Sequence, residues 1–350
     1  MLNRFYKMFS NNIGIDLGTA NTLVYLNNHG IVINEPSVVA VNQKTGKIVA
    51  IGKEAKTMLG RTPAHINIVQ PLVDGVVSDF EVTEEMISYF VRKANSLSPR
   101  KFLRPKLMIG VPSEITNVER RAVRDAGISA GASEVHIIEE PMAGAIGIHL
   151  PVLEPIGNMI VDIGGGTTDI AVISLGGIVR SKNLKIAGDR FNQNIISYIR
   201  DEFKMLVGAK TAEDIKINIG SAMEQGLPLE ATIKGRDLVT GLPREVVVTD
   251  RDIREALLAS TALLVDSIKE VLETTPPEIV SDVMNRGIVL IGGGAMILGL
   301  KELLSRELKI SVFVADDPLT AVVRGTGIVL EDLEKFKEVL IDNEDELPPR

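Results

Sequence analysis

The chain has 350 residues, a length that suggests about two domains. Hydrophobic residues make up 45% and charged residues 24%, ordinary for a folded soluble protein, and the absence of cysteine excludes disulfides and thiolate metal sites and suits a reducing cytosol. The net charge of −8 argues against a nucleic-acid partner, because neutralising phosphates needs a basic face, and no apolar run reaches the roughly 18–20 residues that span a bilayer.

The first fifteen residues lack the apolar region and small-residue cleavage site of a signal peptide. Within them Leu2, Phe5, Tyr6 and Phe9 follow i, i+3, i+4, i+7 spacing with Arg4 and Lys7 alongside, the pattern of a short helix lying in a membrane interface. Such a segment is marginal alone, but many copies on one assembly would add by avidity. Strands are predicted at 13–17, 22–26, 31–33, 37–42 and 107–111. A helix capped by Thr83 runs to about Ser96, with Met86, Ile87, Phe90 and Val91 on one face. The proline-bounded stretch Pro99 to Pro105 projects Phe102 and Leu103 between basic residues, a second candidate membrane contact. A helix follows at about 117–129, then a strand at 135–139 and a small-residue helix from Met142 to Ile148, with Pro141 at its first position.

The second half repeats this logic. Strands at 159–163, 168–173 and 178–182 precede a long helix at about 189–206 and a polar, glycine-bearing insertion at roughly 207–245. Thr249 and Asp252 form a capping box for a helix over about 250–273. Ile288–Ile291 is a buried strand that ends in three glycines, Asp317-Pro318 starts another helix, and the tail from Asn343 to Arg350 reads as disordered.

The chemistry lies in a near-repeat. Residues 12–26 and 158–173 each run apolar strand, Asp-apolar-Gly, small and hydroxyl residues, apolar strand. A glycine-rich turn of this kind brings backbone N–H groups up to phosphate oxygens without a Cβ in the way. Gly18, Thr19, Ala20 and Asn21 supply one set, and Gly164, Gly165, Gly166 and Thr167 the other. Asp16 and Asp162 stand at strand ends, where a carboxylate can hold Mg²⁺ through water. Two matched turns suggest two similar domains gripping one phosphorylated ligand. Gly292-Gly293-Gly294-Ala295-Met296 also permits close backbone approach, whereas no Walker A or G-x-G-x-x-G pattern occurs. The four histidines, His29, His65, His136 and His149, are scattered singly and suggest no metal site.

The set Asp16 to Thr22, Glu140-Pro141, Asp162 to Asp169, Gly188-Asp189 and Gly292 to Gly294 resembles the actin, heat-shock chaperone and sugar kinase superfamily. Within it, Asn34 to Ala40, Asp74 to Phe80, Ile109 to Ser113, Ile138 to Ala143 and Ala187 to Phe191 resemble the MreB/Mbl-type bacterial actins, a likeness that runs from about residue 10 to 330. The resemblance implies an α/β fold of duplicated, ribonuclease H-like domains, each a mixed five-stranded sheet flanked by helices, with two small inserted subdomains. The subdomains would be IA at 1–32, 66–145 and 315–350, IB at 33–65, IIA at 146–182 and 246–314, and IIB at 183–245.

It also implies ATP or ADP with Mg²⁺ as cofactors. Asp16 and Asp162 would organise the metal, and both glycine turns, with Gly188 and Asp189, would cradle the phosphates. Glu140, helped by Thr167, would orient or deprotonate the attacking water. Glu213 and Lys216 would flank the adenosine with Gly292 to Met296. Helices 141–148 and 318–328 would cross between the halves as a hinge. The expected function is an ATPase of the bacterial cytoskeleton that polymerises head to tail in cytoplasmic filaments, peripheral on the inner face of the cytoplasmic membrane. There, with other morphogenetic membrane proteins, it would organise cell-wall synthesis and rod shape. A chaperone would need a substrate-binding domain for which the residues after 330 leave no room. A small-molecule kinase would usually carry a catalytic Asp where this chain has Glu140, and a division-type adaptor would rearrange the smaller subdomain.

Overall fold

In a computed structural model of the chain, residues 11–98, 104–113, 115–224 and 226–341 are described. The candidate membrane residues Leu2, Phe5, Tyr6, Phe9, Phe102 and Leu103, and the tail from Asn343 to Arg350, lie outside the described residues. The chain divides into two compact units. One runs to Ile156 and includes Ile173–Val179 and the residues from Leu319 on; the other comprises Gly157–Val172 and Arg180–Pro318.

The first unit begins with β1 (Asn12–Leu17), β2 (Asn21–Leu26) and β3 (Gly30–Pro36), an antiparallel meander. Then come β4 (Val39–Asn42), β5 (Ile48–Ile51), α1 (Lys53–Met58) and β6 (Ile66–Val69), whose strands form a small sheet in the order β5-β4-β6. A short hairpin of β7 (Leu72–Val73) and β8 (Val76–Val77) leads into α2 (Phe80–Leu97), β9 (Lys106–Val111), α3 (Asn117–Ser129), β10 (Glu134–Glu139) and α4 (Glu140–Gly147). The main sheet is five-stranded and mixed, in the order β10-β9-β1-β2-β3, with β9 parallel to both β1 and β10. Side chains alternate across it. Ile13, Ile15 and Leu17 join Met86, Ile87, Phe90 and Val91 of α2 and Val123 and Ala126 of α3 in one core. Gly14 and Asp16 therefore point to the opposite face.

The cap of α2 corrects the sequence reading. Asp79, not Thr83, accepts the Val82 N–H, at 3.1 Å, and Thr83 lies inside the helix, donating its hydroxyl to the Asp79 carbonyl. The helix α3 has the predicted extent, and it carries a capping box of Thr116 and Glu119.

The second unit contains β11 (Asn158–Ile163), β12 (Thr168–Ser174) and β13 (Gly177–Leu184), except for their connecting end at Ile173–Val179, then α5 (Gly188–Phe203), β14 (Met205–Leu206), α6 (Ala209–Ile219), β15 (Glu230–Asp237) and β16 (Pro243–Thr249). It continues with α7 (Asp250–Glu273), α8 (Pro277–Arg286), β17 (Ile288–Ile291), a 3-10 turn at Gly293–Met296, α9 (Leu300–Leu308) and β18 (Val312–Val314). Its main sheet is again five-stranded, β13-β12-β11-β17-β18, and β14-β15-β16 form a separate three-stranded sheet. The capping box of Thr249 and Asp252 forms as predicted.

The chain then returns to the first unit as α10 (Ala321–Glu331), preceded by a 3-10 turn at Pro318–Thr320. Asp317 takes a left-handed φ of 49°, residues 318–320 form the 3-10 turn, and the α-helix starts at Ala321, later than the sequence suggests. α10 packs on the face of the sheet that carries Gly14: a Cβ there would collide with the Thr326 hydroxyl. It also crosses α4 backbone to backbone, since a Cβ on Gly325 would overlap the Ala143 carbonyl and one on Gly147 the Ala321 carbonyl. Both helices expected to cross between the halves thus fall within the first unit.

Candidate nucleotide site

Each unit holds one Asp-x-Gly turn. In the first, Asp16 sits one residue before the end of β1, and the hairpin to β2 is so tight that a Cβ on Gly18 would lie 2.7 Å from the Asn21 carbonyl oxygen. Glycine is therefore required there, and backbone between Gly18 and Asn21 is what the turn can present to a ligand. Thr19 is buried and its hydroxyl accepts the Gly75 N–H at 3.2 Å, while Ala20 is exposed. The turn is also held from behind. Ser37 donates its hydroxyl to the Gly18 carbonyl at 2.5 Å and its N–H to the Ala20 carbonyl at 3.1 Å, and its hydroxyl lies 2.9 Å from that of Thr22.

Asp16 and Glu140 converge on one glycine. Asp16 pairs with Gly110 across β1 and β9, and a Cβ on Gly110 would lie 3.7 Å from Cγ of Glu140 and 3.2 Å from Cγ1 of Val322. Glu140 is the first residue of α4, directly after β10, and Pro141 is the second, one position later than its sequence suggests. Both carboxylates thus stand at the carboxyl ends of parallel strands, where α/β sheets place ligands. Burial pushes the Asp16 carboxyl up to about 7. Glu140 is itself 8% exposed. A cation would relieve the cost of burying the Asp16 charge, so this donor set suits Mg²⁺.

In the second unit Asp162 occupies the matching place on β11 and is 7% exposed. Its neighbour across the ladder is Ile291, and the next residue, Gly292, has a φ of 78°; a Cβ there would strike the Asp162 carboxylate. A Cβ on Gly294 would strike the Ile163 side chain, so the glycines of 292–294 bring the Gly293–Met296 turn against β11. The turn after β11 closes with Gly164 donating to the Thr167 carbonyl at 2.9 Å, and Thr167 is buried beside it. Gly165 and Gly166 form its tip.

Gly188 and Asp189 lie at the start of α5, but their N–H groups donate to the carbonyls of Gly164 and Gly165, at 3.1 and 2.8 Å. They brace the turn from the helix side. Lys216 on α6 donates to the Gly188 carbonyl at 2.9 Å, which sets its ammonium beside the same turn, and Glu213 lies one helical turn before it. The end of α6 is joined to the glycine turn, since Ser221 bridges Leu298 and Ala222 donates to the Leu298 carbonyl. Ala295 and Met296, with Met223 and Leu298, line a cleft of about 450 Å³, and Met296 is 57% exposed. A second cleft of about 450 Å³, lined by Arg190, Tyr198, Glu255 and Ser260, contains none of the expected site residues.

Sequence reasoning missed Gly110, Gly75 and Ser37 as parts of this site. Their roles depend on which strand neighbours which, and no local pattern records that. Among the described residues no helix is long and apolar enough to cross a membrane.

The family model of the MreB/Mbl protein matches residues 10–338. The cell shape-determining protein Mbl of Bacillus subtilis is 48% identical over 329 residues, covering 94% of this chain and 98% of the relative. The cell shape-determining protein MreB of Escherichia coli K12 is 48% identical over 340 residues, covering 95% and 97%. Among solved structures, MreB5 of Spiroplasma citri bound to ADP superposes with a TM-score of 0.89 at 38% identity, covering 94% of this chain and 98% of that one, and its complex with AMPPNP gives 0.88. The fold is accordingly the actin-like one.

Proposed function

The chain belongs to the MreB/Mbl family, and from that premise we propose that it is an ATP-binding and ATP-hydrolysing bacterial actin. It polymerises head to tail into membrane-associated filaments that organise cell-wall synthesis and rod shape. The observation that carries this reading is the matched pair of turns. Each unit sets an aspartate at the end of a β-strand, follows it with a glycine-rich turn, and braces that turn with hydrogen bonds from elsewhere in its own unit. A family relative with the same fold is solved with ADP and with AMPPNP, which supports adenine nucleotide as the ligand.

In this reading the backbone of Gly18–Asn21 and of Gly164–Gly166 cradles the phosphates. Glu213, Lys216 and the Gly292–Met296 segment would hold the adenosine, and Asp16 and Asp162 would hold Mg²⁺. The metal, when bound, neutralises phosphate charge. Glu140 orients or deprotonates the attacking water with help from Thr167, and being buried beside Gly110 it has a fixed position from which to do so. A heterologous contact that does not close extends such a subunit into a filament.

The test is phosphate release together with electron microscopy of purified protein with Mg·ATP, with and without anionic vesicles. Glu140→Ala is expected to bind AMPPNP as the parent does and to release phosphate about 100-fold more slowly. Unchanged release by this variant would remove Glu140 from the chemistry. Monomers under every condition would sink the filament reading.

A further inference from the structure

We propose that Ser37 is a positioning residue that couples the Gly18–Asn21 turn to the small sheet of β4, β5 and β6. The proposal rests on the nucleotide reading above and adds a mechanical consequence to it. Ser37 is fully buried, at 0% exposure, yet polar. A buried hydroxyl is costly unless bonded, and each bond of this one is to the turn or its root: the carbonyl of Gly18 and the hydroxyl of Thr22, with the Ser37 N–H held by Ala20. The antiparallel ladder of β2 and β3 ends at Asn21 and Pro36, so Ser37 extends it by one rung under the turn itself.

On its other side Ser37 leads straight into the small sheet. Val38 accepts the Gly52 N–H at 2.9 Å, and Val39 opens β4, paired with Ile51 of β5 and Val69 of β6. Glu35, two residues before Ser37, forms an ion pair with Lys93 of α2 and accepts the Lys53 N–H at the start of α1, at 3.2 Å. Gly52 has a φ of 70° and a Cβ there would strike the Glu35 carboxylate, so the first turn of α1 is pressed onto that group. Residues 35–39 are therefore fixed at Glu35 to the body of the unit, at Ser37 to the turn and at Val39 to the small sheet. When phosphate oxygens draw on the backbone of Gly18–Asn21, the displacement passes through the Gly18 and Ala20 carbonyls to Ser37, and from there to β4.

Hydrogen–deuterium exchange over residues 38–51, with and without Mg·AMPPNP, reads this coupling in the full-length protein, alongside AMPPNP affinity. The parent is expected to gain protection over 38–51 on binding. Ser37→Ala is expected to weaken AMPPNP about tenfold, the loss of one buried hydrogen bond, and to lose the nucleotide-dependent protection over 38–51. Ser37→Thr, which keeps the hydroxyl, restores both. A purely structural role would lower the melting temperature in Ser37→Ala and leave the nucleotide-dependent difference intact, which overturns the proposal. Should Ser37→Ala not fold, the parent alone decides: binding of AMPPNP with no change over 38–51 overturns the coupling and leaves the nucleotide reading standing. A parent that binds no nucleotide at all overturns that reading instead.

Discussion

Gly292 shows how a single residue can be required by its neighbours. Its φ of 78° and the Asp162 carboxylate lying where a Cβ would go leave no substitute. Gly292→Ala is expected to lower stability by more than about 1 kcal/mol, since a side chain is forced into a left-handed conformation, and to displace the Asp162 carboxylate. Thermal unfolding and AMPPNP titration check it; an unchanged affinity would separate this glycine from the site. Asp237 makes a different point. Its carboxylate accepts the N–H groups of Thr240 and Val239 and pairs with Arg244, which together hold its pKa at about 2. A depressed carboxylate pKa stabilises the fold above the ordinary value of 3.8, and that contribution fades as pH falls from about 4 through about 2. Asp237→Ala should therefore unfold at a lower temperature than the parent at pH 7, with a gap that shrinks as the pH falls through about 2. A gap of constant size from pH 7 down to pH 2 would place the effect in packing. Turns whose geometry is local were readable from sequence, as with the glycine-rich turns after Asp16 and Asp162. Ser37 was not, because its partners Gly18 and Thr22 come to it only through the β2–β3 register.

Among the elements, the α4 and α10 pair depends most on bare backbone. Gly147 and Gly325 let each helix lie against a carbonyl of the other. A methyl at either place must push the helices apart, and Gly325→Ala is expected to cost about 1–3 kcal/mol, as overpacking does. A chemical denaturation midpoint equal to the parent's would show that the crossing can open. The same pair explains part of what the sequence withheld. The apolar and small residues of 141–148 and 318–328 announce helices, and the capping box of Thr249 and Asp252 announces α7, since these are contiguous patterns. The start of α2 was misread because Thr83 has the look of a cap while Asp79 precedes Phe80, an exposed aromatic. The start of α10 was misread because Asp317-Pro318 makes a 3-10 turn instead. Each error lies at a terminus, where side-chain hydrogen bonds decide between neighbouring candidates.

For the whole molecule, the filament reading and the membrane reading are separable. Removing Leu2, Phe5, Tyr6 and Phe9 with residues 1–10, and replacing Phe102 and Leu103 by serine, should abolish co-sedimentation with anionic vesicles while Mg·ATP still produces filaments in solution. Filaments lost together with lipid binding would mean that polymerisation requires the surface. The path of the chain carries one more consequence. The second unit is built mainly from a continuous stretch, Arg180–Pro318, whereas the first lacks α10 until residue 331. A ribosome delivers about 5–20 residues each second. The sheet made first, complete at Glu139, thus spends the synthesis of about 190 further residues, up to Glu331, without α10 over the face of Gly14 and Asp16. Birth order and assembly order run opposite ways, and the N-terminal half is the part that a chaperone would have to shelter.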